Sequence, residues 1–234
     1  MDEYSVRPIG ILHSPYREKF GIPRQPGLVP QALSQLRLAP EISAACLSQL
    51  TDFSHLWLLF LAHASAAHGW QPTVRPPRLG GNATVGVLAS RSLFRPNPIG
   101  LSLVELVSIE TGAHGSVLWL RGADVLDGTP IIDIKPYLPW ADGAENVRAG
   151  YAPAPPTQRP VVWTETALAD CAALALSADT MRLIEGVLAQ DPRPAYRATE
   201  EDAREYGVWL ENVNVRFRVM VERVEVIRLE SRLV

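Results

Sequence analysis

Cysteine is scarce: the 234 residues contain two, Cys46 and Cys171. Two thiols that far apart exclude a disulfide framework, and neither has metal-ligand spacing. Both are therefore expected as buried or half-buried thiols, and no metal is expected. Lysine is nearly missing as well, since 20 of the 22 basic residues are arginine and only Lys19 and Lys135 are not. No apolar run approaches the roughly 20 residues of a membrane helix, and the longest is Leu56 to Ala62. The opening Met1-Asp2-Glu3 is acidic and has no apolar stretch of the signal-peptide type, so a cytoplasmic protein with no membrane partner is expected. Acid is absent between Phe53 and Val104, a stretch that holds Arg75, Arg78, Arg91 and Arg95. The chain as a whole carries −3, but residues 1–100 carry nine Lys/Arg against five Asp/Glu. Guanidinium forks suit phosphates, carboxylates and stacked bases. A surface dipole without a partner is the plainer reading of the same asymmetry.

The usual nucleotide signatures are missing too. There is no Walker-type glycine loop, no G-x-G-x-x-G after a strand and no G-x-S-x-G elbow. His63 and His68 are five apart with no Glu between them, which excludes a metalloprotease helix. A nucleotide-like cofactor would need a pocket built by other means.

What is present is a chain that is 47% hydrophobic and 20% charged, enough for a sizeable core. Residues 1–145 read as one β-rich unit, 146–160 as an Ala/Pro-rich linker around Ala152-Pro153-Ala154-Pro155-Pro156, and 161–234 as a small α+β unit. Val6, Ile9, Ile11 and Leu12 read as an opening strand that ends near Ser14-Pro15, and further strands are expected through Phe53–Ala62, Ala83–Leu88, Leu101–Ile109, Val117–Arg121 and Ile131–Lys135. Pro40–Thr51 is the expected helix of the first unit, with Ile42, Cys46, Leu47 and Leu50 on one face. Short strands with turn signals between them point to a closed or sharply curved, mostly antiparallel sheet. In the second unit Ser177 caps an expected helix that Asp191-Pro192 stops, and Tyr206–Val213 and Val215–Leu229 read as strands.

Four segments are too dense in Pro, Gly and polar groups to serve packing alone. They are Phe20 to Gly27, Arg75 to Asn82, Arg91 to Gly100 and Asp127 to Tyr137. Prolines fix φ and glycines admit close backbone approach, so such loops hold donors and Arg forks rigidly. With His13-Ser14-Pro15-Tyr16, Phe53-Ser54-His55-Leu56-Trp57 and Asp191-Pro192-Arg193-Pro194-Ala195-Tyr196-Arg197, these segments closely resemble the TsaA/TrmO family over about residues 6–228. The resemblance implies an S-adenosylmethionine-dependent tRNA methyltransferase acting on N6 of N6-threonylcarbamoyladenosine at position 37 of threonine tRNA. It implies a mostly β fold, with a single-sheet β-barrel methyltransferase core and a smaller α+β C-terminal domain, and a homodimer that takes the tRNA anticodon loop. It also implies a cofactor site at Arg24, Gln25, Pro26, His63, Ala64, Arg91, Leu101, Asp127, Gly128, Thr129 and Pro130. The family often has Gln where this chain has Ala64, so a side-chain contact there is lost while the backbone contact survives.

The acceptor N6 is urea-like, and its lone pair is delocalised until its proton leaves. Asp133, His63 and Asp127 are the available proton acceptors. Asp127 equally suits the cofactor, and Asp133 equally suits a turn or Lys135. The substrate's threonyl carboxylate calls for a cation, for which Arg75, Arg78 and Arg95 are candidates. Asn97-Pro98 weakly resembles the amide-proline motif of other amino methyltransferases, and a turn is the plainer reading. Lys135, Tyr137, Arg193 and Arg197 complete the candidate substrate surface, with Trp140 and Phe94 as further stacking residues. A noncatalytic RNA- or nucleotide-binding module and a small-molecule methyltransferase are the competing readings of the same fold.

Overall fold

A computed structural model describes residues 2–66, 69–113, 115–193 and 202–231. In the first unit the strands are β1 (Gly10–His13), β2 (Leu33–Leu38), β3 (His55–Leu61), the short pair β4 (Thr73–Val74) and β5 (Val85–Gly86), β6 (Ile99–Gly112), β7 (Gly115–Arg121) and β8 (Thr129–Pro136), with single-turn helices α1 (His63–Ala66) and α2 (Pro139–Asp142) in the connections. Six of them close into an antiparallel barrel in the order β1-β2-β7-β6-β3-β8, with β8 pairing back to β1. The alternation of side chains explains the closure. Leu56, Leu58 and Phe60 of β3, Leu36 and Leu38 of β2, and Leu118 and Leu120 of β7 all point inward and are buried. Each contributes about 1.5–3 kcal/mol on burial. The inward positions of β6 run Gly100, Ser102, Val104, small at the start of the strand and larger further in. Gly100 lies opposite Phe60, and a Cβ there would come within 2.1 Å of the Phe60 ring. Gly100 therefore makes room for the Phe60 ring at this end of the barrel.

The second unit is a four-stranded sheet, β10 (Asp202–Leu210), β11 (Val213–Val219), β12 (Val224–Ser231) and β9 (Val161–Trp163), with β9 parallel to β12. Helices α3 (Glu165–Ala173) and α4 (Ala178–Ala189) contribute Ala167, Cys171, Leu183, Ile184, Val187 and Leu188 to the core that this sheet forms. Ser177 caps α4 as expected, its hydroxyl accepting from the Thr180 amide at 3.1 Å. The second core also includes Tyr16, Val29 and Ala32, so the β1–β2 connection packs there rather than inside the barrel. Gly21, at φ +93, permits that docking, because a Cβ would meet the Val208 side chain at 2.5 Å.

Several expectations need correction. Pro40–Thr51 is not one helix but two single 3₁₀ turns, Ala44–Leu47 and Leu50–Asp52, broken by Gln49 in the left-handed region at φ 63. Cys46 is exposed there rather than buried, whereas Cys171 is in the core as expected. Ala83–Leu88 supplies only the two-residue β5, after which the chain turns into a 3₁₀ segment at Val87–Ala89. Strand β2 and helix α3 were not anticipated. The Leu33-Ser34-Gln35-Leu36-Arg37-Leu38 pattern has Ser at an inward position, which masks the period of two. Helix α3 is Ala-rich with a weak apolar stripe, and its one clear sign was Thr164, which accepts from the Ala167 amide at 3.1 Å.

If Gly100 is needed to seat Phe60, Gly100→Ala will destabilise the fold by about 1–3 kcal/mol, read as a lower urea midpoint. A midpoint equal to that of the wild type would show that the Phe60 ring has room to move.

Candidate active site

The open end of the barrel holds a cavity of about 520 Å³. One wall is the β1–β2 connection, through Lys19, Ile22, Pro23, Arg24 and Gln25. A second is the end of β3 and the short helix α1 (His63–Ala66), through Phe60, Ala62, His63 and Ala64. The third is Ser90, Arg91, Leu93 and Arg95 with the start of β6. The floor is Asp124, Val125, Leu126 and Thr129. Three of the four Pro/Gly-dense segments thus meet here, although they are far apart in sequence.

Each wall is pinned by local hydrogen bonds. The Ser14 hydroxyl donates to the Val125 carbonyl at 2.7 Å and accepts from the Tyr16 amide at 3.3 Å, tying floor to wall. Thr129 donates to the Leu126 carbonyl at 2.7 Å. The Ala62 amide donates to the Pro98 carbonyl at 2.8 Å, joining β3 to the Asn97-Pro98 turn. Across the cavity, Arg91 donates to the Gln25 side chain at 2.5 Å, and Lys19 donates to the Ala64 carbonyl at 3.0 Å. Prolines and these bonds together preorganise the walls before any ligand arrives.

The cavity is cationic with one acid. Lys19, Arg24, Arg91 and Arg95 line it, and Asp124 is the single carboxylate among the described lining residues. Ser102 donates to Asp124 Oδ1 at 2.7 Å. Burial pushes the Asp124 carboxyl up to about 6, opposed by the Ser102 bond, by its own backbone amide and by Arg91. The Arg24 guanidinium is held below its usual value by desolvation and by Arg78, with Asp191 opposing. Arg24 also donates to the Arg193 carbonyl at 3.3 Å.

Of the residues expected at the cofactor, Arg24, Gln25, His63, Ala64, Arg91, Leu101 and Thr129 line the cavity. Pro26 and Pro130 flank it without lining it, and Gly128 turns the chain at φ 75 with its amide on the Leu12 carbonyl. The Asp127 carboxylate faces the other way. It accepts from the Ser14 amide at 3.1 Å, pairs with Arg17 and with His13 at 3.4 Å, and lines a separate cleft with Trp119 and Arg37. Asp133 stands outside the cavity, paired with Lys135 at 3.0 Å, and accepts from the Ile134 amide at 2.9 Å.

Of the residues expected at the substrate, Arg95 lines the cavity, but its guanidinium also donates to the Ser90 carbonyl at 2.7 Å and so fixes its own loop. Arg75, Arg78 and Asn97 are exposed on the two proline-rich loops. Tyr137 packs edge-on against Trp57, ring centroids 6.0 Å apart, while Trp140 and Phe94 are exposed. Arg193 is 2% exposed, with its guanidinium forked onto both Asp191 oxygens at 2.8 Å, so it faces the interior. Arg159 joins the same carboxylate at 3.3 Å. Arg197 lies outside the described residues.

Sequence reasoning missed Asp124, Ser102 and Lys19. Lys19 carried one signal, being one of two lysines beside a Pro/Gly-dense segment. Asp124 carried little, since Gly122-Ala123-Asp124 reads as an ordinary turn after a strand.

A fold of this kind, a closed β-barrel with a cationic ligand cavity at its mouth and an α+β appendage, has clear relatives. Residues 11–143 match the tRNA-methyltransferase O N-terminal domain, and residues 156–232 match the TrmO C-terminal domain. The chain belongs to the tRNA-methyltransferase O family. It is 49% identical, over 99% of this chain and 100% of the relative, to the Escherichia coli (strain K12) tRNA (adenine(37)-N6)-methyltransferase. A Pseudomonas aeruginosa relative, 46% identical over 92% of each chain, carries the words S-adenosylmethionine-dependent methyltransferase in its name. A crystal structure of TrmO from Pseudomonas aeruginosa superposes with a TM-score of 0.81 at 39% identity, over 99% of both chains.

A raised carboxyl pKa costs the folded state stability once the group ionises. For Asp124 the cost is absent below the ordinary value of about 4, grows as pH rises, and is complete above about 6. Asp124→Asn keeps an acceptor for Ser102 and carries no charge. The variant will be more stable than the wild type by about 3 kcal/mol near neutral pH, and the difference will vanish towards about pH 4 in urea unfolding. A difference that does not change with pH would refute this electrostatic account.

Proposed function

We propose that this chain methylates N6 of N6-threonylcarbamoyladenosine at position 37 of tRNA, with S-adenosylmethionine as donor. The observation that carries the reading is the cavity at the barrel mouth, built by the segments that resemble the family. Its volume of about 520 Å³ lies within the range of small-molecule sites. Its chemistry suits a donor with a carboxylate, a cationic amine and sulfonium, and an adenine. Lys19, Arg24 and Arg91 offer cations for the carboxylate, and Phe60, Leu93, Val125 and Leu126 offer apolar surface for the adenine. Arg24, Gln25, His63, Ala64, Arg91, Leu101 and Thr129 are the residues that would hold the donor. S-adenosylmethionine supplies an activated methyl group on a sulfonium sulfur.

The protein's own contribution is placement and exclusion of water. The mouth walls fix the donor's depth, and the proline-rich loops carrying Arg75, Arg78 and Asn97 border the approach of the substrate. The threonyl carboxylate makes a cation necessary, and of the exposed arginines Arg78 has support, because its charge acts on Arg24 in the cavity wall. Tyr137 and Trp140 offer rings for an unstacked base. tRNA and no metal are the partners in this reading, and the enzyme works in the cytoplasm, where that tRNA is found. Among the described residues, no helix is long and apolar enough to cross a membrane.

The homodimer has support in an apolar outer face. Trp57 and Leu59 of β3 lie beside Leu103 and Leu101 of β6 on the outside of the barrel, and Leu101, 49% exposed, continues this face to the rim of the cavity that it also lines. Contiguous apolar surface of this kind commonly covers a partner. Leu103→Arg will therefore convert a dimer to single 25.7 kDa chains in sedimentation. A wild type that already sediments as single chains would remove the dimer.

The activity is tested with radiolabelled donor and threonine tRNA prepared with and without the threonylcarbamoyl group. Label will enter only the modified tRNA. Donor binding without transfer to either tRNA would favour a binding module, and transfer only to small metabolites would favour the third reading.

A further inference from the structure

Transfer of a methyl group to the carbamoyl-bearing nitrogen releases one proton, and the chain must give that proton somewhere to go. We propose that the Asp124 carboxylate is its acceptor. This inference rests on the functional reading above and deepens it.

Position favours Asp124 over the other acids. It stands in the cavity floor, whereas the Asp127 carboxylate is turned to Ser14, His13 and Arg17, and Asp133 is engaged with Lys135 outside. Ser102, fully buried on β6, fixes the carboxylate through Oδ1 at 2.7 Å. A base must be held within hydrogen-bond reach of its proton, and this bond supplies the holding. Asp124 also has the basicity for the task. Burial lifts its carboxyl to about 6, so at neutral pH it is ionised and yet more basic than an ordinary carboxylate. The groups around it are Ser102 on β6, Arg91 on the 90–95 loop and Tyr16 on the β1–β2 connection, whose phenol is pushed up by burial and by the Asp124 charge. Lys19, Arg24, Arg95 and His63 line the same cavity.

The step balances. The N–H bond breaks and its proton becomes the O–H of Asp124. The nitrogen pair forms the new N–CH₃ bond, and the electrons of the S–CH₃ bond stay on sulfur. One carboxylate and one sulfonium are replaced by one carboxylic acid and one neutral thioether. Charge is discharged within a low-dielectric site, which favours the forward direction.

Asp124→Asn will lower single-turnover methylation at least about 100-fold, with donor affinity by calorimetry within about threefold of the wild type. Asp124→Glu will recover part of the rate. In the wild type kcat/KM will fall with unit slope below pH about 6. Ser102→Ala will move that limb to higher pH, because it removes a bond that favours the charged form, and a merely structural Ser102 would not shift it. An Asn variant within about fivefold of the wild type hands the proton to another group, His63 first, and overturns the assignment. A loss of donor affinity that accounts for the whole loss of kcat/KM makes Asp124 a donor ligand and overturns it too. A wild type that methylates no tRNA overturns the functional reading and this inference together, whereas an active wild type with an unimpaired Asn variant overturns this inference alone.

Discussion

The stretch from Tyr16 to Ala32 belongs to two structures at once. Its ends, Tyr16, Val29 and Ala32, are packed in the core of the C-terminal sheet, while its middle, from Lys19 to Gln25, is a wall of the barrel cavity. The Glu211 amide donates to the Pro15 carbonyl at 2.8 Å and the Trp209 amide to Glu18 at 3.0 Å, so strand-end groups of the second sheet clamp the start of this wall. Everything else at the mouth is built against that wall. The C-terminal unit therefore does more than accompany the barrel, because removing it would strip the packing from one side of the cavity.

The Asp191–Arg193 turn extends the same logic. Asp191 takes a positive φ, and its carboxylate receives both Arg193 and Arg159, a buried arrangement that is costly to break on one side only. The Arg193 carbonyl then meets Arg24. A motif that reads as an RNA-facing arginine run thus has its first arginine spent on architecture. The cationic character of the cavity comes from Lys19, Arg24, Arg91 and Arg95, and the lone carboxylate among the described lining residues, Asp124, acquires its raised basicity from burial, which outweighs the opposing Ser102 bond and the Arg91 charge. Sites where environment separates one group from its ordinary pKa are where proton chemistry is commonly located.

The barrel was legible because alternation and turn residues are local signals: Leu56, Leu58 and Phe60 announce β3 without any knowledge of their neighbours. The walls were legible for a different reason, since proline and glycine fix backbone shape residue by residue. What stayed hidden depends on distance in sequence. Asp124 becomes a cavity carboxylate only through Ser102, 22 residues earlier, and Asp127 turns away only because His13, Ser14 and Arg17 are waiting on the other side. The Pro40–Thr51 stripe looked helical but is broken at Gln49, and nothing in the residue types demanded a left-handed conformation there.

The most direct measurement is a crystal structure with S-adenosylmethionine analogue and a modified anticodon stem-loop bound together. The account predicts the donor between the Lys19–Gln25 wall and the Asp124–Thr129 floor, with the acceptor nitrogen in hydrogen-bond reach of Asp124. A donor lodged in the cleft beside Asp127 and Trp119, or Asp124 bonded to the donor rather than facing the nitrogen, would contradict it.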